Sequence, residues 1–508
     1  MRPSPLRPAP TGSFPTGSVP TGTWTRTWVP LLAVTFFLSA CGVGPDDSGE
    51  RSGSAATAAA LADLPACGSL PDPTPGSCVF ATTGFYTSKE PYAPRQAPDD
   101  YEPVPEGFTL VSVQHVARHG SRALSSPDDD DLMRQLWEAA RDEGALTPLG
   151  EGLGPVLEDV IRVHAQVGYG RTSRLGEMEH EATAARLLER HPVFFDSLVA
   201  RGHRIDVYHS GRERADESGE AFVRGLVAGR PALAGLVDPG EASMETLYFN
   251  EAEGSEGYQA YSDNDPRMLA AVEAIEEDPR TRQMARLMLR QLFADDFVQR
   301  LADGAYEFRA AADPDDRIRD ELDAAEAFYG LYSIAAGLTE EANWAFGRFM
   351  HPEAVAWFAY VDDAGSFYDR GPGFADEDIT FAGARALAAD MVQRIEQVLA
   401  GASTVPVTVR FSHAQALMPL AAWLGIEGAA EGAEPGVLYT YENSAWRSEL
   451  VSPMAANVQW DVVRNAEGVV LVRMLHQEGE VGFAAPCRPW QEGSFFYEFD
   501  ELRRCYGL

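Results

Sequence analysis

In "FTLVSVQHVARHG", residues 108–120, apolar side chains recur around Leu110, Val111, Val113 and Val116 before a glycine ends the run. That is the pattern of a buried strand leading into a loop. Helical periodicity follows over Asp130 to His164 and again over Leu175 to Ala200. "RIDVYHS" then predicts a short strand, and "GRERADESGEAFVRGLV" a helix ending near Gly225. Strand, helices, strand and helix in this order predict an α/β core: a central, mostly parallel sheet flanked by helices.

The texture changes over residues 228–378. Asp265-Pro266 and Asp278-Pro279 each place a capping acid before a proline at the first helical position, so this stretch reads as an inserted, mostly α-helical domain. The core resumes with "FAGARALAADMVQRIEQVLAG", where Leu387, Met391, Ile395 and Leu399 recur every fourth residue and Gly401 supplies a stop. "VPVTVRFS" alternates through Val405, Val407, Val409 and Phe411, "AQALMPLAAWLG" starts a helix, and "NVQWDVV" and "VVLVRML" predict closing strands. The core is thus divided into residues 64–227 and 379–508.

The first 63 residues carry no such pattern. Arg2, Arg7 and Arg26 precede an apolar run from Trp28 to Leu38, too short to span a membrane, which ends in "LSAC" at Cys41. Residues 1–41 resemble a bacterial lipoprotein signal, which implies lipidation of Cys41 and a place in the cell envelope facing outside the cytoplasm, anchored to the membrane or secreted. Residues 42–63 are rich in Gly, Ser, Ala and Asp and read as a flexible tether. Four cysteines remain, and their short separations favour Cys67 with Cys78 and Cys487 with Cys505, although four allow three connectivities. No CxxC spacing marks a structural zinc site.

Charge narrows the function. The 508 residues carry a formal net charge of −36, which argues against a nucleic-acid partner, since phosphate backbones need a basic face. An anionic ligand must instead meet a local basic cluster. Lys89 is the only lysine, so that cluster has to be arginine.

Such a cluster is visible at predicted strand ends. "ARHGSR" puts Arg118, His119 and Arg122 at the carboxyl end of the first core strand, where open α/β sheets bind ligands, with a glycine that lets backbone approach an anion. His115 and His119 cannot share a metal, because four strand residues span about 13 Å. The next strand ends at Ser210, with Arg214 four places on and Ser218 after it, and a later strand ends at His413. Arginine forks bind phosphate oxygens bidentately and imidazole adds a donor. Ser210 and Ser218 read as helix caps.

"RHGSR", "SGRERADESGEAF" and "SHAQ", in this order with a helical insertion between the second and third, resemble the histidine phosphatase superfamily in its acid phosphatase and phytase branch. Within that branch the chain is most similar to multiple inositol polyphosphate phosphatases, through "FYTSKEPY", "LGEMEHEATAARLLERHPVFF" and "SPMAANVQWDVV", over about residues 80 to 508. The resemblance implies a phosphomonoesterase, acting on small phosphorylated substrates such as phytate, in which His119 attacks phosphorus to give a phosphohistidine. Arg118, Arg122, Arg214 and His413 would stabilise the equatorial oxygens, so no metal or other cofactor is implied. Lys89 and Arg174 are further candidates for substrate phosphates.

One position departs from the pattern. The proton donor implied by the resemblance is the glutamate of "HAE", and here Gln415 stands in its place. An amide donates a hydrogen bond but gives up no proton at ordinary pH. Three readings follow: another acid serves, with "SSPDDDD" ending at Asp131 as a candidate; catalysis is weak or limited to good leaving groups; or the protein binds phosphoesters without turnover.

Overall fold

The computed structural model describes residues 64–508. The predicted signal (1–41), its Cys41 and the tether (42–63) lie outside the described residues. Ten strands are formed among the described residues: β1 (Thr109–Arg118), β2 (Ile205–His209), β3 (Glu241–Ala242), β4 (Phe308–Arg309), β5 (Arg317–Ile318), β6 (Val407–Ser412), β7 (Asn457–Arg464), β8 (Val470–His476), β9 (Gly479–Val481) and β10 (Phe496–Glu498). The main sheet has the order β10-β8-β7-β1-β6-β2-β3, with β9 on β8, while β4 and β5 pair alone.

The sheet is mixed, and the division is functional. β1, β6, β2 and β3 run parallel to one another, whereas β7, β8, β9 and β10 join by antiparallel pairing. Arg118 pairs with Ser412 and His209 with Phe411, so the residues that follow β1, β2 and β6 emerge at one edge. Side-chain alternation explains why these strands are buried on both faces. Val113, Ala117, Val207, Val409 and Phe411 pack with Phe195 and Phe222 under the helices Arg174–Arg190 and Glu213–Gly229. Val116, Val458, Trp460 and Val472 meet Leu387, Met391 and Ile395 of the helix Ala384–Leu399 on the other side. Arg410 is buried on that face, its Nε 2.9 Å from Asp390 and its terminal nitrogen 3.0 Å from Gln114.

Between β3 and β6 the chain is mostly helical. Asp265 accepts from the backbone N–H groups of Arg267 and Met268, and Asp278 from that of Arg280, so both Asp-Pro starts are capped as the sequence predicts. The helices Pro279–Leu289, Glu321–Ala335 and Pro352–Arg370 share a hydrophobic cluster with Asp128–Asp142 and Pro148–Val167. Gly401, just past Ala384–Leu399, has φ +68°, the left-handed stop its position calls for. Cys67 is bonded to Cys78 and Cys487 to Cys505, with Cα–Cα separations of 4.9 and 5.3 Å.

Candidate active site

The loop after β1 is held by backbone on both sides. His119 donates its N–H to Ser412 O (2.8 Å) and accepts from Ala455 N (3.0 Å), which ties it to the ends of β6 and β7. Gly120 N–H donates to Ser218 Oγ (3.1 Å), and Glu179 accepts from Ser121 N (2.8 Å), Ser121 Oγ (2.9 Å) and Tyr92 N (2.9 Å). A Cβ on Gly120 would lie 2.6 Å from the Cα of Gly176, so glycine is needed here for close backbone approach.

His119 Nδ1 sits 2.9 Å from the carbonyl oxygen of Gly120. A carbonyl only accepts, so Nδ1 carries the proton and Nε2 keeps its lone pair. Nε2 makes no hydrogen bond to a described residue. The ring is 3 % exposed, and burial followed by Arg214, Arg118, His413 and Arg122 pulls its pKa well below the ordinary histidine value. His119 is therefore a neutral imidazole with one unencumbered nitrogen.

Cations surround it. Arg118 is buried and donates to the carbonyls of Ser88 and Ser452, the latter at 2.6 Å. Burial and the nearby Arg214 and Arg370 draw its pKa down to about 9. Burial with Arg214 and Arg118 lowers Arg122 strongly, and burial lowers Arg214. None of Arg118, Arg122, Arg212 and Arg214 forms an ion pair with a described residue, in a protein whose other arginines mostly meet carboxylates. Buried Nε atoms of Arg118, Arg122 and Arg214 have no acceptor among the described residues. Clustered guanidinium groups without carboxylate partners are the donor set that suits a phosphate.

His413 lies with its ring centroid 5.3 Å from that of His119. Its Nε2 is 2.7 Å from Ser210 Oγ, and its buried Nδ1 has no partner among the described residues. Burial and Arg214, Arg118, Arg212 and Arg122 keep it neutral as well. The structure thus brings together the five residues from three strand ends that the sequence singles out. Ser210 and Ser218 are not caps: one contacts the His413 ring, and the other, inside Glu213–Gly229, holds Gly120 and donates to Arg214 O.

Other expectations fare differently. Lys89 is placed beside the cluster, 3.3 Å from Asp362, one residue from the carbonyl that receives Arg118. Arg174 is not brought in; its guanidinium is given to Glu177 (2.7 Å) and Glu181 (3.4 Å) on the exposed start of its helix. The aspartates of "SSPDDDD" do not approach His119 either. Asp128 accepts from Asp313 N, Asp131 from Ala311 N and Arg134, and Asp130 from Tyr169 Oη (2.7 Å) beside His164. That acid run is a helix start docked on the inserted helices, so it supplies no proton. Gln415, second in the helix Ala414–Trp423, is half-buried and forms no hydrogen bond with a described residue.

Three neighbours escape the sequence reading. Arg212 stands two places before Arg214 in the same motif, and its guanidinium lies 5.1 Å over the ring of Tyr248. Tyr248 in turn packs its ring edge-on to His413 at 5.1 Å. Arg370, at the end of Pro352–Arg370, pairs with Asp369 (2.6 Å) and adds to the positive field at Arg118. Arg212 was open to detection from its motif; the other two have no local signal.

Residues 109–477 match the family model of the histidine phosphatase superfamily, branch 2. Among curated proteins, multiple inositol polyphosphate phosphatase 1 of Gallus gallus is 22% identical over 360 residues, covering 70% of this chain and 72% of that one. Among solved structures, the Bifidobacterium longum multiple inositol polyphosphate phosphatase is 30% identical over 83% of this chain and 97% of that one. Its TM-score is 0.77 for the complex with inositol hexasulfate and 0.79 for the complex with phosphate. The phytase from D. castellii shares the fold at a TM-score of 0.58 and 14% identity, covering 83% of this chain and 84% of that one.

Proposed function

Because the chain belongs to branch 2 of the histidine phosphatase superfamily, we propose that it is a metal-independent phosphomonoesterase that removes phosphate from inositol polyphosphates through a phosphohistidine at His119. One observation carries the mechanism: a buried, neutral histidine whose Nδ1 is fixed on Gly120 O, leaving Nε2 beside arginines with no counter-ion. In-line attack by Nε2 forms the P–N bond as the ester P–O bond breaks. Arg118, Arg122, Arg214 and His413 Nδ1 meet the charge on the equatorial oxygens, and water then releases phosphate. The inositol polyphosphate substrate is supported by the similarity to the Bifidobacterium longum enzyme.

The test is rapid acid-independent trapping of labelled enzyme with phytate. Wild type is expected to give an alkali-stable phosphohistidine, and His119→Ala none, with turnover abolished. Unchanged hydrolysis by His119→Ala ends this reading. Gln415 favours a second reading, binding without turnover; phytate that raises the melting temperature while no substrate is ever hydrolysed would establish it. The reading also places the protein in a bacterial envelope on a lipid at Cys41. Fractionation of wild type against Cys41→Ala tests that, with loss of membrane association expected.

A further inference from the structure

Gln415 leaves the departing oxygen without a proton, and the carboxylates around the cradle do not replace it. Asp362 takes hydrogen bonds from Thr87 Oγ (2.5 Å) and Lys89 (3.3 Å); burial pushes its pKa up, but Lys89, Thr87 and Arg370 together hold it below the usual carboxylate range. It is therefore already ionised. Glu179 is spent on three donors in the loop clamp. Asp363 is 1 % exposed and enclosed by Ser448 and Tyr441, out of reach of a ligand.

Tyr248 differs from all of these. Its ring is wedged between the edge of His413, 5.1 Å away, and the guanidinium of Arg212, 5.1 Å above it. The preceding residue, Leu247, gives its carbonyl to the hydroxyl of Ser412, which pins this turn to the end of β6 next to His413. Arg214 lies in the field of the phenol. Yet the phenolic oxygen, although the ring is mostly buried, has no hydrogen-bond partner among the described residues. A buried ring with a free O–H, set between Arg212 and the second histidine and within the field of Arg214, is built to offer that O–H to something not part of the protein.

We propose that Tyr248 is the general acid of this enzyme, taking the role that Gln415 cannot perform. The inference rests on the phosphohistidine reading above. In the first step the P–O bond of the ester breaks as His119 Nε2 bonds to phosphorus, and the phenolic proton passes to the departing oxygen, giving a free alcohol and a tyrosinate beside Arg212 and Arg214. In the second step water attacks the phosphohistidine, the P–N bond breaks, and the proton lost by water returns to Tyr248. Protons balance over the cycle, and no co-reactant beyond water is needed.

The test compares an alkyl substrate, phytate, with an aryl ester, p-nitrophenyl phosphate, whose leaving group needs no protonation. Tyr248→Phe keeps both ring contacts and removes only the hydroxyl. It is expected to lower kcat for phytate by about 10²–10³-fold, while p-nitrophenyl phosphate loses less than about tenfold. Glu90→Gln serves as the rival arm, because Glu90 is half-buried and pushed up by burial and Glu449. Equal loss on both substrates, no loss on either, or a selective loss in Glu90→Gln instead overturns the assignment. Should Tyr248→Phe fold poorly, difluorotyrosine at 248 provides the second readout: a more acidic phenol must move the alkaline limb of kcat for phytate to lower pH, and an unmoved limb refutes the proposal. Trapping of alkali-stable phosphoenzyme in wild type separates the two levels. A missing label removes the premise, whereas a label with unselective Tyr248→Phe removes Tyr248 alone.

Discussion

Ser210 Oγ lies 2.7 Å from Nε2 of His413, and the same oxygen accepts the backbone N–H of Arg212 at 3.4 Å. A hydroxyl has two lone pairs and one O–H, so after accepting that N–H it still has its proton to give to Nε2. In that arrangement the imidazole proton sits on Nδ1, which has no acceptor among the described residues. Ser210 then orients the ring and leaves Nδ1–H for a ligand.

Ser210→Ala is therefore expected to weaken recognition of phosphate without removing the nucleophile. A neutral hydrogen bond is worth about 0.5–1.5 kcal/mol, so kcat/KM should fall by roughly 2- to 13-fold. Steady-state kinetics on p-nitrophenyl phosphate decide it; a loss as large as that of His119→Ala would mean that Ser210 does more than orient a ring.

Gly120→Ala tests whether the loop is held by backbone contact. The added Cβ meets the backbone of Gly176, which cannot swing aside as a side chain could. Overpacking of this kind costs about 1–3 kcal/mol. The urea midpoint should drop accordingly and kcat/KM by more than tenfold, since Nδ1 of His119 depends on the Gly120 carbonyl. A variant of wild-type stability and activity would show the loop to be soft.

How much of this was legible depends on the range over which each position is determined. β1 and β6 declare themselves by alternation, and their parallel ends place His119 and His413 together once the α/β order is read. In the antiparallel half, β7 and β8 were legible as strands but not as direction, because Trp460 and Val472 alternate alike whichever way they pair, while β9 and β10, three residues each, are too short to show a period. The acid run at Asp128 misled because charge pattern does not reveal its partners, Asp313 N and Ala311 N, which come from the insertion. Tyr248 was invisible for the same reason: it reaches His413 through a hydrogen bond between Ser412 and Leu247, 165 residues apart in sequence.

Acid should destabilise the protein well before its surface carboxylates titrate. Burial lowers His115 to about 4 and His180 and His476 to about 3, and it also keeps His119 and His413 neutral. In the unfolded chain each takes up a proton near pH 6.5, so the unfolded state binds more protons and stability falls as pH drops below that value. Each histidine is worth on the order of 2 kcal/mol between pH 7 and pH 5. Asp363 and Glu276, pushed up to about 7 by burial, work in the opposite sense. Burial also lowers His351 and raises Glu90, Glu179 and Glu449, but of the raised carboxylates only Asp363 and Glu276 reach about 7. The histidines therefore outweigh them and leave a net loss, which chemical denaturation at the two pH values measures; a flat or rising stability contradicts the neutral-histidine assignment.

Inorganic phosphate should stabilise the folded protein, and Arg214 should decide by how much. The cradle gathers Arg118, Arg122 and Arg214 around two neutral histidines with no ion pair to a described carboxylate; Glu179 and Asp362 act on Arg118 only from farther off, less than Arg214 and Arg370 do, and the arginines depress the protonation of Arg118, Arg122 and His119. The cations of the cradle thus repel one another, and a bound anion offsets that repulsion. At a phosphate concentration 100 times Kd the gain is about 2.7 kcal/mol, visible as a raised Tm. Arg214→Gln separates the two effects by sign. Without phosphate the variant should melt at or above the wild-type temperature, because a repulsive partner has gone. With phosphate its shift should be much smaller, and kcat/KM should fall by about 10²–10³. A variant that melts lower than wild type without phosphate, or that keeps the full phosphate shift, would show that Arg214 supports the fold rather than the anion. The repulsion would then have to be sought between Arg118 and Arg122 alone.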